Sequence, residues 1–375
     1  MKRDETVIAA MSGGVDSSVA AALLQEQGYD VIGATLRLRP CDDSAEVSWC
    51  CSRGAEEQSR AVAGVLGIPH YVVEASEAFA AAVLEPSWAE YSRGRTPSPC
   101  ILCNEKIKFQ RLMDFGRKLG ATRVATGHYA RIRKVGDHLG LFRGAYRNKD
   151  QSYFLFSLTP AQLEATLFPL GELTKAEVRE QARGMTFPNA ERRESQDACF
   201  VNEDAGSFPE ALRQRFGAAA KPGRVVDQSG GVLGDHDGIH HFTVGQRKGL
   251  GIATGKRAYV TRIEPDEARV VLSDDPDTLL SGSLLASGLV WTGGAKPSCP
   301  VRCEAQVRYR HRPAPGEAAV LPDGRLVFRF DTPQKAVAPG QAVVLYEGDR
   351  VLGGAWIDEG LRTSGRGVNA WGEFA

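Results

Sequence analysis

TVIAAMSGGVDSSVAAALLQEQG, residues 6–28, is the stretch whose reading decides the fold. Residues 6–11 are a short apolar run of the kind a strand shows when both of its faces are buried. Residues 18–28 carry a helical pattern that stops at Gly28, where a helix C-cap favours a residue free to adopt positive φ. Between them, Gly13 and Gly14 let the backbone turn tightly and come close to an anion. A strand, a glycine turn and a helix in that order aim loop amides and a helix N-terminus at one point, which is a cradle for phosphate.

Further along, DVIGATLRL (30–38) reads as a second strand, residues 55–68 as a second helix and HYVVEA (70–75) as a third strand. Helical patterns follow at 77–92 and near 105–119, and RVATGHYARI (123–132) returns to a strand. This alternation predicts an α/β domain, a Rossmann-like, doubly wound parallel sheet covered on both faces. From about residue 206 the texture changes to short β-type runs between Gly, Asp and Pro turns. RAYVTRIEPDEARVVLSD (257–274) reads as two strands around a Pro-Asp turn, and Asp323-Gly324 as a hairpin turn. The expected division is a catalytic domain at 1–205, a small β-rich central domain at 206–278, a C-terminal β-barrel at 279–361 and a tail at 362–375.

Composition narrows the function classes. The 375 residues are 42% hydrophobic and 25% charged, ordinary for a soluble multidomain protein, and no apolar run is long enough to cross a bilayer. The N-terminal apolar stretch ends in glycines and an aspartate, so it reads as a strand entering a loop and not as a signal peptide. Lys+Arg and Asp+Glu balance at 46 each, so only a local cluster of basic residues can support nucleic-acid binding. Eight cysteines are too few for a disulfide scaffold in a chain of this size, and a cytoplasmic location with reduced thiols is expected.

Ala10, Met11, Ser12, Gly13, Gly14, Val15, Asp16 and Ser17 are the expected phosphate-contacting run, with hydroxyl donors also at Ser18. No lysine follows the glycines, so the string is not the GxxxxGK[ST] loop. Asp16 would repel phosphate unless Mg²⁺ bridges the two. Ligands of doubly wound sheets sit beyond the carboxyl ends of the strands, which adds Leu36 and Gly127 as expected contacts of the same ligand. His128 reads equally well as a phosphate contact or a packed ring.

Cys100 and Cys103 form a C-x-x-C within RTPSPCILCNEKIKF (95–109), and Cys199 lies in SQDACF (195–200). A helical pattern after Cys103, with Lys106 and Lys108 in it, is a setting that can depress a thiol pKa, and such thiols suit sulfur relay. A structural zinc site normally needs four ligands, and Cys50-Cys51 would complete one poorly. Cys41, Cys299 and Cys303 read as inert buried thiols.

SGGVDS resembles the PP-loop of the N-type ATP pyrophosphatases, which implies substrate adenylation with release of pyrophosphate. GRTPSPCILCNEKIKF resembles the GRTPNPxxxCNxxIKF segment of the tRNA-specific 2-thiouridylases, the MnmA/TrmU family. CCSRGAEEQSRAVAGVLGIPHYVV, ATGHYAR, KDQSYFLFSL, ESQDACF, HFTVGQRKGLGI, VRYRHRP and LGGAWID follow in that family's order.

This resemblance implies ATP-dependent 2-thiolation of the wobble uridine, position 34, in the anticodon arm of tRNA. It implies Cys103 as nucleophile, Cys199 as persulfide carrier and a redox disulfide between them, with sulfur from a persulfide donor of a cysteine desulfurase pathway. It places tRNA contacts at Lys149, Asp150, Gln151, Arg308 and Tyr309. HFTVGQRKGLGI, with Arg247 and Lys248, reads as an RNA contact or as a basic turn. The chain departs from some family members at Cys100, where they carry aspartate, and an accessory role is the expectation there. Three thiols at Cys100, Cys103 and Cys199 also form an alternative ligand set, for an iron–sulfur cluster.

Overall fold

The computed structural model describes residues 5–39, 53–192, 207–253, 255–294 and 296–362. The chain forms two compact units. The first comprises Met1–Leu84, Pro99–Gly206 and Asp349–Val351, and the second Glu85–Ser98, Ser207–Gly348 and Leu352–Ala375.

The first unit is built on a five-stranded sheet. It starts with β1 (Thr6–Ala10), α1 (Val15–Glu26), β2 (Asp30–Arg37), α2 (Arg53–Leu66) and β3 (His70–Glu74). Then come β4 (Arg123–Ala125), a hairpin of β5 (Ala130–Val135) and β6 (His138–Arg143), and the short β7 (Thr166–Leu167). The sheet order is β3-β2-β1-β4-β7, and every pairing in it is parallel. Val7 and Ile8 of β1 are wholly buried, as a central strand covered on both faces requires.

α1 is rich in alanine because it is packed on two sides. Val15, Val19, Ala20 and Ala22 meet Val62, Ala63, Val178 and Ala182. Ala21 and Leu24 pack on Val7, Ala9, Val31 and Ala125 of the sheet. The helix stops as expected: Gly28 adopts φ +86° and Tyr29 N–H donates to Leu24 O.

Two expectations change in detail. The run 123–132 is two strands and not one. β4 ends at Ala125, and the chain restarts in β5 at Ala130, antiparallel to β6. The break falls at Gly127, whose Cα lies so close to α1 that a Cβ there would sit 2.9 Å from Asp16 C and Ser17 N. The helical pattern near 105–119 begins earlier, with an α-helical turn Pro99–Leu102, a π-helical stretch Cys103–Lys108 and an α-helix Phe109–Arg117.

In the second unit, β8 (Gly223–Val226), β9 (Val232–His236), β10 (Tyr259–Glu264) and β11 (Arg269–Ser273) form a sheet in the order β10-β11-β8-β9. Val225, Phe242, Val260 and Val270 are among its core residues. β12 (Leu280–Trp291), β13 (Val301–Gln306), β14 (Ala314–Val320), β15 (Leu326–Lys335), β16 (Ala342–Glu347) and β17 (Arg350–Leu361) follow. Their order is β12-β15-β14-β13-β16-β17, and β12 also pairs with β17, which closes a six-stranded antiparallel barrel. Closure removes the sheet edges, and Leu284, Phe328, Val343 and Ile357 are among the residues that fill the interior. Gly324, at φ +87°, turns β14 into β15 as the Asp-Gly pair predicts. Among the described residues, no helix is long and apolar enough to cross a membrane.

Candidate active site

The loop after β1 is held by its own serines. Ser12 N–H donates to Ser17 Oγ (3.1 Å), and Ser17 Oγ–H donates to Gly14 O (2.8 Å). Ser18 Oγ–H also donates to Gly14 O, at 3.1 Å. Gly14 is the N-cap of α1, and no side chain caps the helix there. The first-turn amides and the positive end of the helix dipole are therefore left for an anion. Gly13 adopts φ +72°, and a Cβ on it would lie 2.7 Å from Ala55 O. Only glycine combines that turn with that approach.

Residues from far along the chain complete the loop. Asn189 Nδ2, on a buried side chain, donates to Gly13 O (3.0 Å) and to Ser18 Oγ (2.9 Å), and Arg192 Nη1 donates to Gly13 O (3.1 Å). Lys175 Nζ lies 2.7 Å from Asp16 Oδ1, and Tyr129 Oη–H donates to the same oxygen at 2.8 Å. Lys175 is the first residue of the helix Lys175–Gly184, whose start is set by a capping box of Thr174 and Glu177. The loop thus has a lysine after all, placed on it by a helix that begins 159 residues after Asp16. The T-x-x-E signature locates that helix start in the sequence, but nothing local points from it to Asp16.

The remaining expected ATP positions differ in kind. Ala10 ends β1. Met11 is buried, and its backbone serves the sheet: its N–H donates to Ala34 O (2.8 Å) and its carbonyl accepts from Thr35 Oγ1 (2.7 Å). Val15 and Ser17 are buried in the first turn of α1. Leu36 does not follow β2 but lies within it, paired in register with Val73. Gly127 presses the segment after β4 onto the start of α1, which accounts for its glycine by helix packing. His128 is a packed ring. Its Nδ1 lies 2.6 Å from Thr126 Oγ1 and it stacks on Phe109. Burial first, and the Lys108 ammonium second, hold its pKa well below the usual histidine range.

Cys103 opens the π-helical stretch, and its thiol is buried. Burial pushes it up to about 11, against the depressed value the lysines suggest in sequence; Lys108 acts in the lowering direction but is outweighed. Lys106 is exposed, while Lys108 Nζ donates to Asn104 Oδ1 (2.8 Å), and the buried Asn104 donates through Nδ2 to Phe154 O (3.0 Å). The i→i+5 winding brings the Lys108 side chain back over the turn that carries Cys103. Cys100, half-buried, is one turn earlier. Cys41, Cys50, Cys51 and Cys199 lie outside the described residues. Cys303 is a buried barrel thiol raised to about 12, whereas Cys299 is exposed, contrary to the buried reading.

The expected tRNA triplet divides. Asp150 pairs with Arg143 (3.2 Å) and accepts from Gly144 N and Ser152 N, and both charged side chains of the pair are nearly buried. Gln151 Oε1 accepts from Tyr129 N (3.0 Å) and so holds the segment that carries the Asp16 contact. These two side chains build the loop, and Lys149 closes its 3₁₀ turn Arg147–Lys149. Arg308 and Tyr309 sit in the turn after β13, not on a strand, and Arg308 Nη1 donates to Lys335 O (3.0 Å). Among the described residues, the pieces brought together in the first unit are the loop 11–18, Tyr129, Lys175, Asn189 and Arg192.

A parallel sheet whose first strand feeds a glycine turn and an uncapped helix N-terminus defines an α/β domain with an anion-binding loop beyond its first strand. Residues 5–203 match the family described as the tRNA methyl transferase HUP domain, 211–274 the tRNA methyl transferase PRC-barrel domain, and 281–357 the aminomethyltransferase beta-barrel domain. The chain is 46% identical over 364 residues to a tRNA-specific 2-thiouridylase MnmA of Heliobacterium modesticaldum, covering 95% of this chain and 93% of the relative. It is 43% identical to that of Geobacter metallireducens, covering 96% and 98%. Among solved structures, a 4-thiouridine synthetase–RNA complex with bound ATP is similar at TM-score 0.36 and 17% identity, covering 57% of this chain and 54% of that one. The chain belongs to the tRNA-specific 2-thiouridylase MnmA family.

Proposed function

We propose that this protein is a sulfurtransferase that uses ATP to replace O2 of the wobble uridine of tRNA with sulfur. The observation that carries the reading is likeness over 95% of the chain to a protein named tRNA-specific 2-thiouridylase. The phosphate loop and the buried thiol of Cys103 supply the two chemistries the reaction needs.

ATP lies with its phosphates on the Ser12–Ser17 loop and the start of α1. Lys175 and Tyr129 fix Asp16 through Oδ1, and the Asp16 carboxylate would hold Mg²⁺. The ion would supply charge neutralisation for the phosphates. The target base leaves the anticodon stack, at a cost of at most a few kcal/mol for a single-stranded nucleotide. Uridine O2 attacks the α-phosphorus, an O–P bond forms and pyrophosphate leaves. The Cys103 thiolate then attacks the Cys199 sulfur of a Cys199 persulfide, so that a Cys103–Cys199 disulfide forms and hydrosulfide is released. Hydrosulfide adds at C2, its proton passes to N3, and AMP leaves with the former O2. A thiol reductant returns two electrons to the disulfide.

The sulfur arrives as a persulfide from a cysteine desulfurase pathway, and the setting is the cytoplasm. Lys149 and the Arg308-Tyr309 turn contact the tRNA, while Asp150 and Gln151 hold the loop that presents Lys149. The working division is 1–205, 206–278, 279–361 and 362–375. Cys100 acts beside Cys103. With Cys199 the pair would also suit an iron–sulfur cluster, and anaerobic protein carrying iron and visible absorbance would replace the relay with that chemistry.

The test is nucleoside mass spectrometry of tRNA after incubation with ATP, Mg²⁺ and a persulfide source. The expected product is 2-thiouridine. Folded, ATP-binding protein that yields none overturns the reading.

A further inference from the structure

The balanced net charge of the chain leaves open where a polyanion the size of tRNA is held, and one cleft of the second unit answers. The loop between Phe242 and Tyr259 borders an open cleft of about 630 Å³. Three of its lining side chains are the exposed cations Arg247, Lys256 and Arg257, and no carboxylate or aromatic ring is among the lining residues. Gly249, Gly251 and Gly255 also line it, at φ +69°, +69° and +64°.

The loop is a mounted feature. Gly245 N–H donates to Val260 O (2.8 Å) and Val260 N–H to Gln246 O (3.0 Å), pinching its base. Leu250 and Ala258 are buried in the core with Val225, Phe242 and Val260, so the floor is anchored. Lys256 has an exposed partner, Asp274, at 3.6 Å; a pair so open to solvent is weak and exchanges readily for phosphate.

We propose that this cleft is a binding site for the sugar–phosphate backbone of RNA, which holds tRNA without reading its sequence. The absence of a stacking ring among the lining residues separates it from a base pocket, and the size suits more than one phosphate. The inference rests on the proposed function and deepens it by placing a substrate contact that the phosphate loop and the cysteines do not supply.

The experiment measures tRNA affinity of the full chain between 50 and 200 mM KCl, for wild type and for R247Q/K256Q/R257Q. All three side chains are exposed, so the variant keeps its fold. Every phosphate that the variant no longer neutralises should lower the slope of log K against log[salt] by about 0.7 to 0.9. The expected result is a slope shallower by roughly 2, weaker binding at low salt, a raised KM for tRNA and an unchanged kcat for pyrophosphate release. Unchanged slope and affinity in the variant overturn the cleft while leaving the function intact. Wild type that binds no tRNA overturns the function instead. If wild type binds millimolar pyrophosphate and the variant does not, while both hold tRNA with the same affinity and salt slope, the cleft is a small-anion site and the proposal falls.

Discussion

The phosphate loop and the thiol segment of the first unit each bring a lysine to a reactive group, and they use it in opposite ways. Lys175 meets a carboxylate, Asp16, at 2.7 Å, so its charge is neutralised inside the fold. Lys108 meets a neutral amide, Asn104, at 2.8 Å, and that bond leaves its charge in place beside a buried thiol. The loop is therefore set before substrate arrives, with its donors in the backbone and its acid already paired. The thiol is held protonated by burial, with a cation in reach for the moment it ionises. Preorganisation suits the binding of an anion, and a raised pKa protects a nucleophile until its partner is present.

The comparison breaks first at Gly13. Gly13→Ala forces a Cβ to 2.7 Å from Ala55 O on a backbone at φ +72°. Pyrophosphate release should fall by on the order of 100-fold or more, read with a coupled pyrophosphate assay, while the melting temperature drops only modestly. A variant that keeps wild-type ATP affinity would mean the loop is not the phosphate site.

Cys103→Ser should act on the other half alone. Formation of 2-thiouridine is lost to the detection limit of mass spectrometry, while tRNA-dependent pyrophosphate release continues. If 2-thiouridine still forms in the variant, Cys103 is not the nucleophile of the relay.

Lys175→Met leaves Asp16 without its ammonium partner near the anion site. A charge-assisted bond of this kind is worth about 1.5–3 kcal/mol, so kcat/KM for ATP should fall roughly 10- to 100-fold. Lys175→Arg should recover part of it.

The smallest effect concerns pH. Cys103 is raised to about 11, so its thiolate fraction, and with it alkylation by iodoacetamide, should climb about tenfold per pH unit from pH 7 toward 11. Lys108 favours the thiolate, so Lys108→Met moves the profile to higher pH and slows alkylation of Cys103 at pH 8 by roughly 3- to 10-fold, read by peptide mass spectrometry. Cys100 acts on the Cys103 thiol and Lys108 acts on His128 as well, and Cys100→Ser and His128→Gln controls separate their influence. A Lys108→Met profile that matches wild type would show that the reserve charge does not reach the sulfur.

Much of this architecture was legible from residues 6–75, where strand and helix alternate with clear periods, and at the Pro-Asp and Asp-Gly turns of the β-rich half. The run 123–132 misled because β-type residues continue on both sides of Gly127, and only the approach of that glycine to α1 divides the strand. The family resemblance places Asp150 and Gln151 at the tRNA, and the sequence does not show that they also build their loop. Their partners, Arg143 and the Tyr129 amide, are brought to them by the β5–β6 hairpin.

By itself the sequence determined the glycine loop between a buried strand and a helix, and the spacing of the two thiols. Both depend on properties that act within a few residues: the φ freedom of glycine, apolar period and helix stop signals. The tertiary structure alone decided that Lys175, Asn189 and Arg192 complete that loop, that the Cys103 thiol is buried, and that three cations line one cleft in a chain of zero net charge. Desolvation and ion pairing depend on which distant segments pack together, and the local order of residues does not encode those distances.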